Sequence, residues 1–336
     1  MLGCSRLRQL SYKTSFVRLV IKRGFSSSTA SGSGVAVSRE SQGYNFITDV
    51  VKPAAFGIGA SAAAFAVAAH VCERKQEALA DKASQAWYRG LLSGKQSAEG
   101  ALSASDVRFL SRLPAGAVRD TAVSVLLRWR SLQPHQQTLY GITGVNLLVL
   151  VGWRFRSLQG FMQRNFLHHF PPVPTRPYTL LTANFSHQTL PHIFFNSVAL
   201  ISFGGGVHDR LGSEQFVAFF IAGGLASSVV SHLARVRRRP GGASLGSSGA
   251  VYAVFAMMAY YEPQAKAQFI FLPGVPIALE NLFPGLVLLD VVGALSKWRF
   301  LDHWGHLGGA LFGYLYVRYG TTYVWGNRDK LLLPGS

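Results

Sequence analysis

Six apolar runs follow one another closely in the carboxyl-terminal part of this chain, and they constrain its fold more than any other feature. Runs of this length and apolarity are typical of helices in a bilayer, where every backbone polar group must be satisfied within the segment. The sequence therefore predicts an all-α polytopic membrane protein with a compact six-helix core over residues 136–320. The runs lie at about 138–153, 189–206, 214–233, 246–261, 282–296 and 301–319.

The composition of the chain supports a membrane location. Of its 336 residues, 49% are hydrophobic and only 14% are charged, which leaves too little polar surface for an ordinary soluble domain. The net charge of +18 could indicate nucleic-acid binding, but the basic residues are scattered among apolar runs and loops instead of forming one basic domain. We therefore expect the lipid bilayer, and not nucleic acid, as a partner. Two cysteines, Cys4 and Cys72, are too few for a disulfide framework.

The amino-terminal part of the chain predicts a leader and one more helix. Residues 1–38 are rich in Arg, Lys and Ser and have no acid, the composition of a mitochondrial transit peptide that is removed after import; a plastid address stays open on composition alone. Residues 39–72 are interpreted as a matrix segment and an additional transmembrane helix, formed by the Ala-rich run 54–72. Such a run is only weakly hydrophobic, so a buried soluble helix is the alternative. The other predicted segments are a soluble helical connector over 73–135 and a carboxyl-terminal tail over 321–336.

Arginines are distributed unevenly between the loops of the predicted core. The loops after the first and third apolar runs hold eight arginines and no acid, whereas the alternate loops are nearly neutral. Positive charge marks the synthesis side of a membrane, here the matrix. The one-plus-six arrangement in the mitochondrial inner membrane therefore predicts these two loops on the matrix side, with the connector and the carboxyl terminus in the intermembrane space. The eight residues are Arg154, Arg156, Arg164, Arg176, Arg235, Arg237, Arg238 and Arg239.

Polar side chains inside three of the apolar runs point to chemistry, since such groups are costly at membrane depth. A serine hydroxyl becomes a good nucleophile when a neighbouring base takes its proton, and the oxyanion that forms needs preorganised donors. Ser248 opens the fourth run and His306 lies in the last, so they are candidates for nucleophile and base. In the second run His192 and Asn196 are four residues apart and share a helix face, as donors aimed at one point.

Small residues recur at the spacing that lets membrane helices approach closely. In the last run the small residues predict one flat helix face, and those of the fourth run predict a similar face. Pairing of these two helices would bring Ser248 toward His306. Small residues spaced by four are Gly305, Gly309 and Gly313 in the last run and Gly249 and Ala253 in the fourth; Gly246 and Gly249 flank the serine pair as supporting residues.

Tyr252 follows Ser248 by one helical turn, so it shares the face of the serine and can pack against an imidazole. The carboxylates near these motifs are Asp290 in the fifth run and Asp302 beside the last. They do not form a recognisable Ser-His-Asp signature, so the sequence favours a Ser-His dyad. For Asp290, gating or pairing between helices is the expected role.

Each polar residue also has a structural interpretation. A serine in a small-residue membrane helix usually packs or bonds to the preceding turn, and a histidine or asparagine can join neighbouring helices. Imidazoles are also zinc ligands. However, the zinc-protease motif H-E-x-x-H does not occur, and no carboxylate accompanies the pairs of histidines as a general base. We therefore predict neither a metal nor another cofactor. The histidines that raise the zinc alternative are His187, His192, His303 and His306.

Three motifs together resemble the rhomboid family of intramembrane serine proteases. They are G-S-S-G opening the fourth run, H-x-x-x-N in the second and G-H-L-G-G-A-L-F-G in the last, in the family's order over roughly residues 136–320. The basic leader, the extra helix and F-L-D-H-W-G-H at 300–306 resemble the presenilin-associated mitochondrial subfamily. Gly305 stands where the family commonly has Ala, a small-for-small difference compatible with close packing.

The resemblance implies a serine endopeptidase that cleaves single-span membrane proteins in or next to their transmembrane segment. It implies Ser248 as nucleophile, His306 as general base, Tyr252 packed on that histidine, and an oxyanion hole of His192, Asn196 and the Ser248 backbone N–H. Two other classes stay open. A catalytically inactive rhomboid-like protein would bind membrane clients without cutting them, and a channel or transporter would pass a solute.

Overall fold

The computed structural model describes residues 44–93, 104–171, 173, 176–236, 241–269, 273–298 and 300–331. The predicted transit peptide over 1–38 lies outside these residues, as do Arg237, Arg238 and Arg239. Each of the seven apolar runs lies on a helix. The helices are α1 (Lys52–Ser93), α2 (Ala104–Ser111), α3 (Ala117–Arg130), α4 (Pro134–Gly152), α5 (Gln159–Asn165), α6 (Thr179–Thr182), α7 (Leu190–Leu211), α8 (Ser213–Val236), α9 (Ser248–Tyr261), α10 (Leu279–Leu295) and α11 (His303–Leu315).

Short helical turns extend or connect these helices. A π-helical turn precedes α1, and a longer π-helical segment continues α11. These turns are Ile47–Val51 and Tyr316–Trp325, and the 3₁₀ turns are Arg156–Leu158, Ala183–Phe185 and Arg328–Leu331.

Three helices of the described residues are long and apolar enough to cross a membrane, namely Ile47–Lys82, α7 and α8. A fourth is added if α4 and the segment Arg156–Asn165, which turns by 95° from it, form one broken span. The fold is thus a mostly helical membrane fold with several apolar helices, while the one-plus-six count stays a prediction. The helices α9, α10 and α11 have 14, 17 and 13 residues, fewer than the roughly 20 that span a bilayer.

Helix α1 is longer than the sequence indicated. It runs for 42 residues, so the boundary placed at residue 72 lies inside one continuous helix. The charged residues 73–82 are good helix formers without Gly or Pro, and they prolong the helix after the apolar run ends. The apolar part packs on the core: a Cβ on Gly57 would lie 2.6 Å from Val229 Cγ2, and the Phe65 ring stacks on Tyr316 at 5.4 Å.

Helices α8 and α9 occupy the centre of the core. Phe216, Phe219 and Phe220 of α8 are almost fully buried, and α9 is buried along most of its length. A helix that is apolar on all sides is stable when other helices surround it. This central position explains why the fourth apolar run shows no polar face.

Two short antiparallel strand pairs fix the loops. Strand β1 (His168–His169) pairs with β2 (Ala243–Ser244), and β3 (Lys266–Ala267) pairs with β4 (Ile277–Ala278). Strand β2 lies directly before the G-S-S-G turn, and Gly246 N donates to Ala183 O at 2.9 Å. The turn that presents Ser248 is therefore anchored to the loop between α4 and α7.

Candidate active site

Ser248 is the first residue of α9, and the turn before it requires glycine. Gly246 has φ +119°, a conformation that L side chains rarely adopt. A Cβ on Gly246 would also lie 2.7 Å from Cε1 of His192. The turn thus lets the His192 imidazole lie directly against the backbone that precedes Ser248. At this helix start the first N–H groups have no acceptor within the helix, which favours an anion there.

Helices α9 and α11 are in backbone contact, which confirms the pairing predicted from their small residues. A Cβ on Gly309 would collide with the carbonyl oxygen of Gly249, and one on Gly313 with that of Ala253. A Cβ on Gly249 would in turn collide with the Ser227 hydroxyl of α8. Close approach without side chains in between brings the start of α9 next to the start of α11.

This contact brings Ser248 and His306 together. Their Oγ and Nε2 atoms are 3.0 Å apart, within hydrogen-bond distance. The imidazole is 6% exposed. The Tyr252 ring stacks on it with centroids 4.4 Å apart and planes 10° apart. The geometry matches a nucleophile and its base, with the base oriented by an aromatic face.

The structure adds a carboxylate that the sequence analysis did not assign to the pair. Asp290 Oδ1 lies 3.0 Å from His306 Nδ1 and 2.7 Å from His303 Nδ1, and the Tyr252 hydroxyl donates to Oδ2 at 2.6 Å. The sequence analysis favoured a Ser-His dyad and gave Asp290 no part in it. Asp290 lies on α10, whose contacts with α9 and α11 are not encoded in any motif spacing. The one available signal was an acid in an apolar run.

His192 and Asn196 lie beside the same turn, and among the described residues neither side chain forms a hydrogen bond with Ser248. Asn196 Nδ2 donates to the His192 carbonyl oxygen at 3.1 Å and to His187 Nε2 at 3.1 Å. That nitrogen of His187 also lies 3.4 Å from the Ser247 hydroxyl. The amide of Asn196 is thus placed near the G-S-S-G turn through His187.

His187 is fully buried in the loop before α7. Burial, and secondarily the neighbouring His192, lower the pKa of His187 from its ordinary value of 6.5 to about 4. The imidazole is therefore neutral at physiological pH, and its Nε2 can accept the hydrogen bond from Asn196. The sequence analysis named His187 only among the histidines of the zinc alternative, and residue spacing alone did not reveal this contact.

A small cavity of about 20 Å³ adjoins Ser248. Its lining is partly polar and partly apolar, and a volume of this size holds about one water molecule. Among the described residues, no group of three or more His, Cys, Asp and Glu side chains is arranged to hold a metal ion. Residues that line the cavity include Asn184, Ser227, Ser228, Ser248 and Asp302.

Comparison with known proteins shows similarity to rhomboid proteins. Residues 174–322 match the Rhomboid domain family. Over 204 residues the chain is 38% identical to the mitochondrial presenilin-associated rhomboid-like protein of Mus musculus and 37% identical to that of Homo sapiens; each match covers 61% of this chain and 54% of the relative. Rhomboid protein 1, mitochondrial, of Saccharomyces cerevisiae is 31% identical over 198 residues, 58% of this chain and 56% of the relative.

The chain thus spans about half the length of these relatives. The mitochondrial relatives and the several apolar helices together identify a multi-pass membrane protein of mitochondria. Through residues 174–322, the chain is similar to the Rhomboid domain family.

Proposed function

We propose that this protein is an intramembrane serine endopeptidase of the mitochondrial inner membrane. Its substrates are single-span membrane proteins, which it cleaves in or next to their transmembrane segment. The observation that carries the proposal is the 3.0 Å approach of Ser248 Oγ to His306 Nε2 at a partly buried position between apolar helices. The match of residues 174–322 to the Rhomboid domain family supports the same activity.

The catalytic cycle begins with His306. Nε2 takes the proton of the Ser248 hydroxyl as Oγ attacks the scissile carbonyl carbon, and a tetrahedral intermediate forms. His306 then gives the proton to the leaving amine, and the acyl group stays on Ser248. A water molecule, activated by the same imidazole, hydrolyses the ester and restores the hydroxyl. The cavity beside Ser248 has room for such a water.

The oxyanion of each tetrahedral intermediate needs donors that are already in position. The backbone N–H of Ser248 is suited to this role because it lies in the first turn of α9. His192 contacts the turn at Gly246, and Asn196 is held beside it through His187. We assign His192 and Asn196 as the side-chain donors, which turn toward the oxyanion when substrate binds.

Substrates must expose a carbonyl to Ser248. An intact transmembrane helix shields its carbonyls in hydrogen bonds, so the substrate has to unwind locally. Small or helix-weakening residues near the cut lower the cost of unwinding. We therefore expect substrates with Gly, Ser or Ala at the cleaved segment.

Cleavage of a single-span reporter protein, reconstituted with the purified full chain in proteoliposomes, tests the proposal. Wild type should release two fragments, and Ser248→Ala none. Ser157→Ala is a matched control, because Ser157 is exposed in the loop after α4 and distant in sequence from the G-S-S-G turn. Binding of the reporter without cleavage by wild type would favour an inactive client-binding protein. Solute flux that survives Ser248→Ala would favour a channel.

A further inference from the structure

Asp290 is a buried acid on a helix that otherwise faces apolar surroundings. Its side chain is 2% exposed, and its neighbours on α10 include the exposed Leu288 and Leu289. An uncompensated charge at such a position costs several kcal/mol. The carboxylate is therefore retained at a site where its partners compensate for its burial.

Those partners are three donors aimed at two oxygens. His303 and His306 place their Nδ1 atoms 2.7 Å and 3.0 Å from Oδ1, and the Tyr252 hydroxyl is 2.6 Å from Oδ2. An ionised carboxylate only accepts hydrogen bonds, so it matches three donors. The hydroxyl and two imidazole N–H groups thus hold the carboxylate in one orientation.

From this geometry we propose that Asp290 is a positioning residue for the active site. It acts as a third residue that orients His306 in the Ser248–His306 pair. Accepting from His306 Nδ1–H, the carboxylate fixes the tautomer in which the Nε2 lone pair faces Ser248 Oγ. It also stabilises the imidazolium that forms when Ser248 loses its proton. The proton stays on His306 until it passes to the leaving amine. This inference rests on the proposed protease function.

His303 contacts the same carboxylate oxygen as His306. A Cβ on Gly293, one turn after Asp290 on α10, would collide with the His303 imidazole, so a glycine is needed for that ring to reach Oδ1. The Trp298 and Phe300 rings contact the His303 ring edge-on, at 6.0 Å and 5.5 Å. Packed in this way, His303 keeps Asp290 from rotating away from His306.

Tyr252 connects both parts of the arrangement. Its ring stacks on His306 while its hydroxyl donates to Asp290. Tyr252→Phe therefore removes one anchor of the carboxylate and keeps the aromatic stack. This variant separates orientation of the carboxylate from packing around the imidazole.

The test follows the rate at which a fluorophosphonate probe labels Ser248 in the full chain in nanodiscs, from pH 5 to pH 10. For Asp290→Asn we expect a rate lowered on the order of 10²–10⁴-fold near pH 7, with a changed dependence on pH, because the amide favours the wrong imidazole tautomer. Asp290→Glu, which keeps a carboxylate, should recover part of the lost labelling rate. Tyr252→Phe should label several-fold more slowly, with a smaller change of the pH profile.

A purely structural role for Asp290 would reduce the amount of folded protein and leave the pH profile of the folded fraction unchanged. Folded Asp290→Asn that labels at the wild-type rate with the wild-type profile would overturn the inference. If Asp290→Asn does not fold, Tyr252→Phe decides. Slower labelling with a changed dependence on pH supports the positioning role of Asp290, and labelling with the wild-type rate and pH dependence overturns it. Wild type that does not label at all would instead overturn the proposed protease function.

Discussion

Gly309 lies so close to Gly249 that a Cβ atom on Gly309 would collide with the Gly249 carbonyl oxygen. This backbone contact between α9 and α11 sets the distance between Ser248 and His306, since each of those residues lies within one turn of it. The geometry of the proposed catalytic pair therefore depends on residues that have no functional group.

Gly309→Ala should lower both stability and activity, because the added methyl group forces α11 away from α9. Overpacking of this kind costs typically about 1–3 kcal/mol, and even a small shift lengthens the distance between Ser248 Oγ and His306 Nε2. Gly144→Ala in α4 is the matched control, since a Cβ there meets nothing within 4 Å. Thermal unfolding and reporter cleavage measure the two effects. Gly309→Ala with wild-type stability and turnover would show that the helices are not in contact.

Asn196→Ala should retain weak activity. Loss of one oxyanion donor typically lowers the rate about 10²–10³-fold, whereas loss of the nucleophile removes covalent catalysis entirely. Initial rates of reporter cleavage, normalised to folded protein, provide the measurement. Unchanged turnover at normal protein levels would mean that Asn196 only packs against His187.

Acidification should weaken the fold through His168 in strand β1. This side chain is fully buried and contacts His232 Nδ1 through Nε2 at 3.0 Å. Burial, and secondarily the charge of His232, lower the pKa of His168 from 6.5 to about 3. Because the folded state resists protonation, the stability that His168 contributes is fully present above pH 6.5 and is lost as the pH falls toward 3, by at most about 1.4 kcal/mol per pH unit.

The unfolding temperature of wild type in nanodiscs should therefore fall between pH 7.5 and pH 5.5. His168→Gln removes the titrating group, so its unfolding temperature should fall less. His169→Gln, at the neighbouring position of the same strand, is the matched control and should follow wild type. An equal decrease in all three proteins would rule out His168 as the acid-sensitive group.

The loops after α4 and α8 are predicted to face the matrix, with the carboxyl terminus in the intermembrane space. Cysteines at Ser157 and Lys330, both exposed, test this in a chain with Cys4 and Cys72 replaced by serine. In mitochondria with the outer membrane opened, an impermeant thiol reagent should label Lys330→Cys and spare Ser157→Cys. The reverse pattern would invert the orientation and leave the catalytic assignment untouched.

The sequence predicted the parts of the site that follow from spacing along one helix. Small residues four apart indicated the contact of α9 with α11, and the i, i+4 pair His192 and Asn196 indicated one face of α7. The roles of Asp290 and His187 depend on contacts between different elements, which periodicity within one helix does not encode. Hydropathy ends at residue 72 while helix propensity continues, so α1 runs from the predicted span into the predicted helical connector.

The pairing of Ser248 with His306 is most directly tested by mapping the residue that a fluorophosphonate modifies. Peptide mass spectrometry of the labelled full chain should place the adduct on Ser248 and not on the adjacent Ser247, which is buried against His187. Ser248→Ala and His306→Ala should each abolish labelling, and the double variant should be no worse at reporter cleavage than either single one, because the two residues act as one unit. An adduct on another residue, or undiminished labelling and cleavage by His306→Ala, would contradict the account.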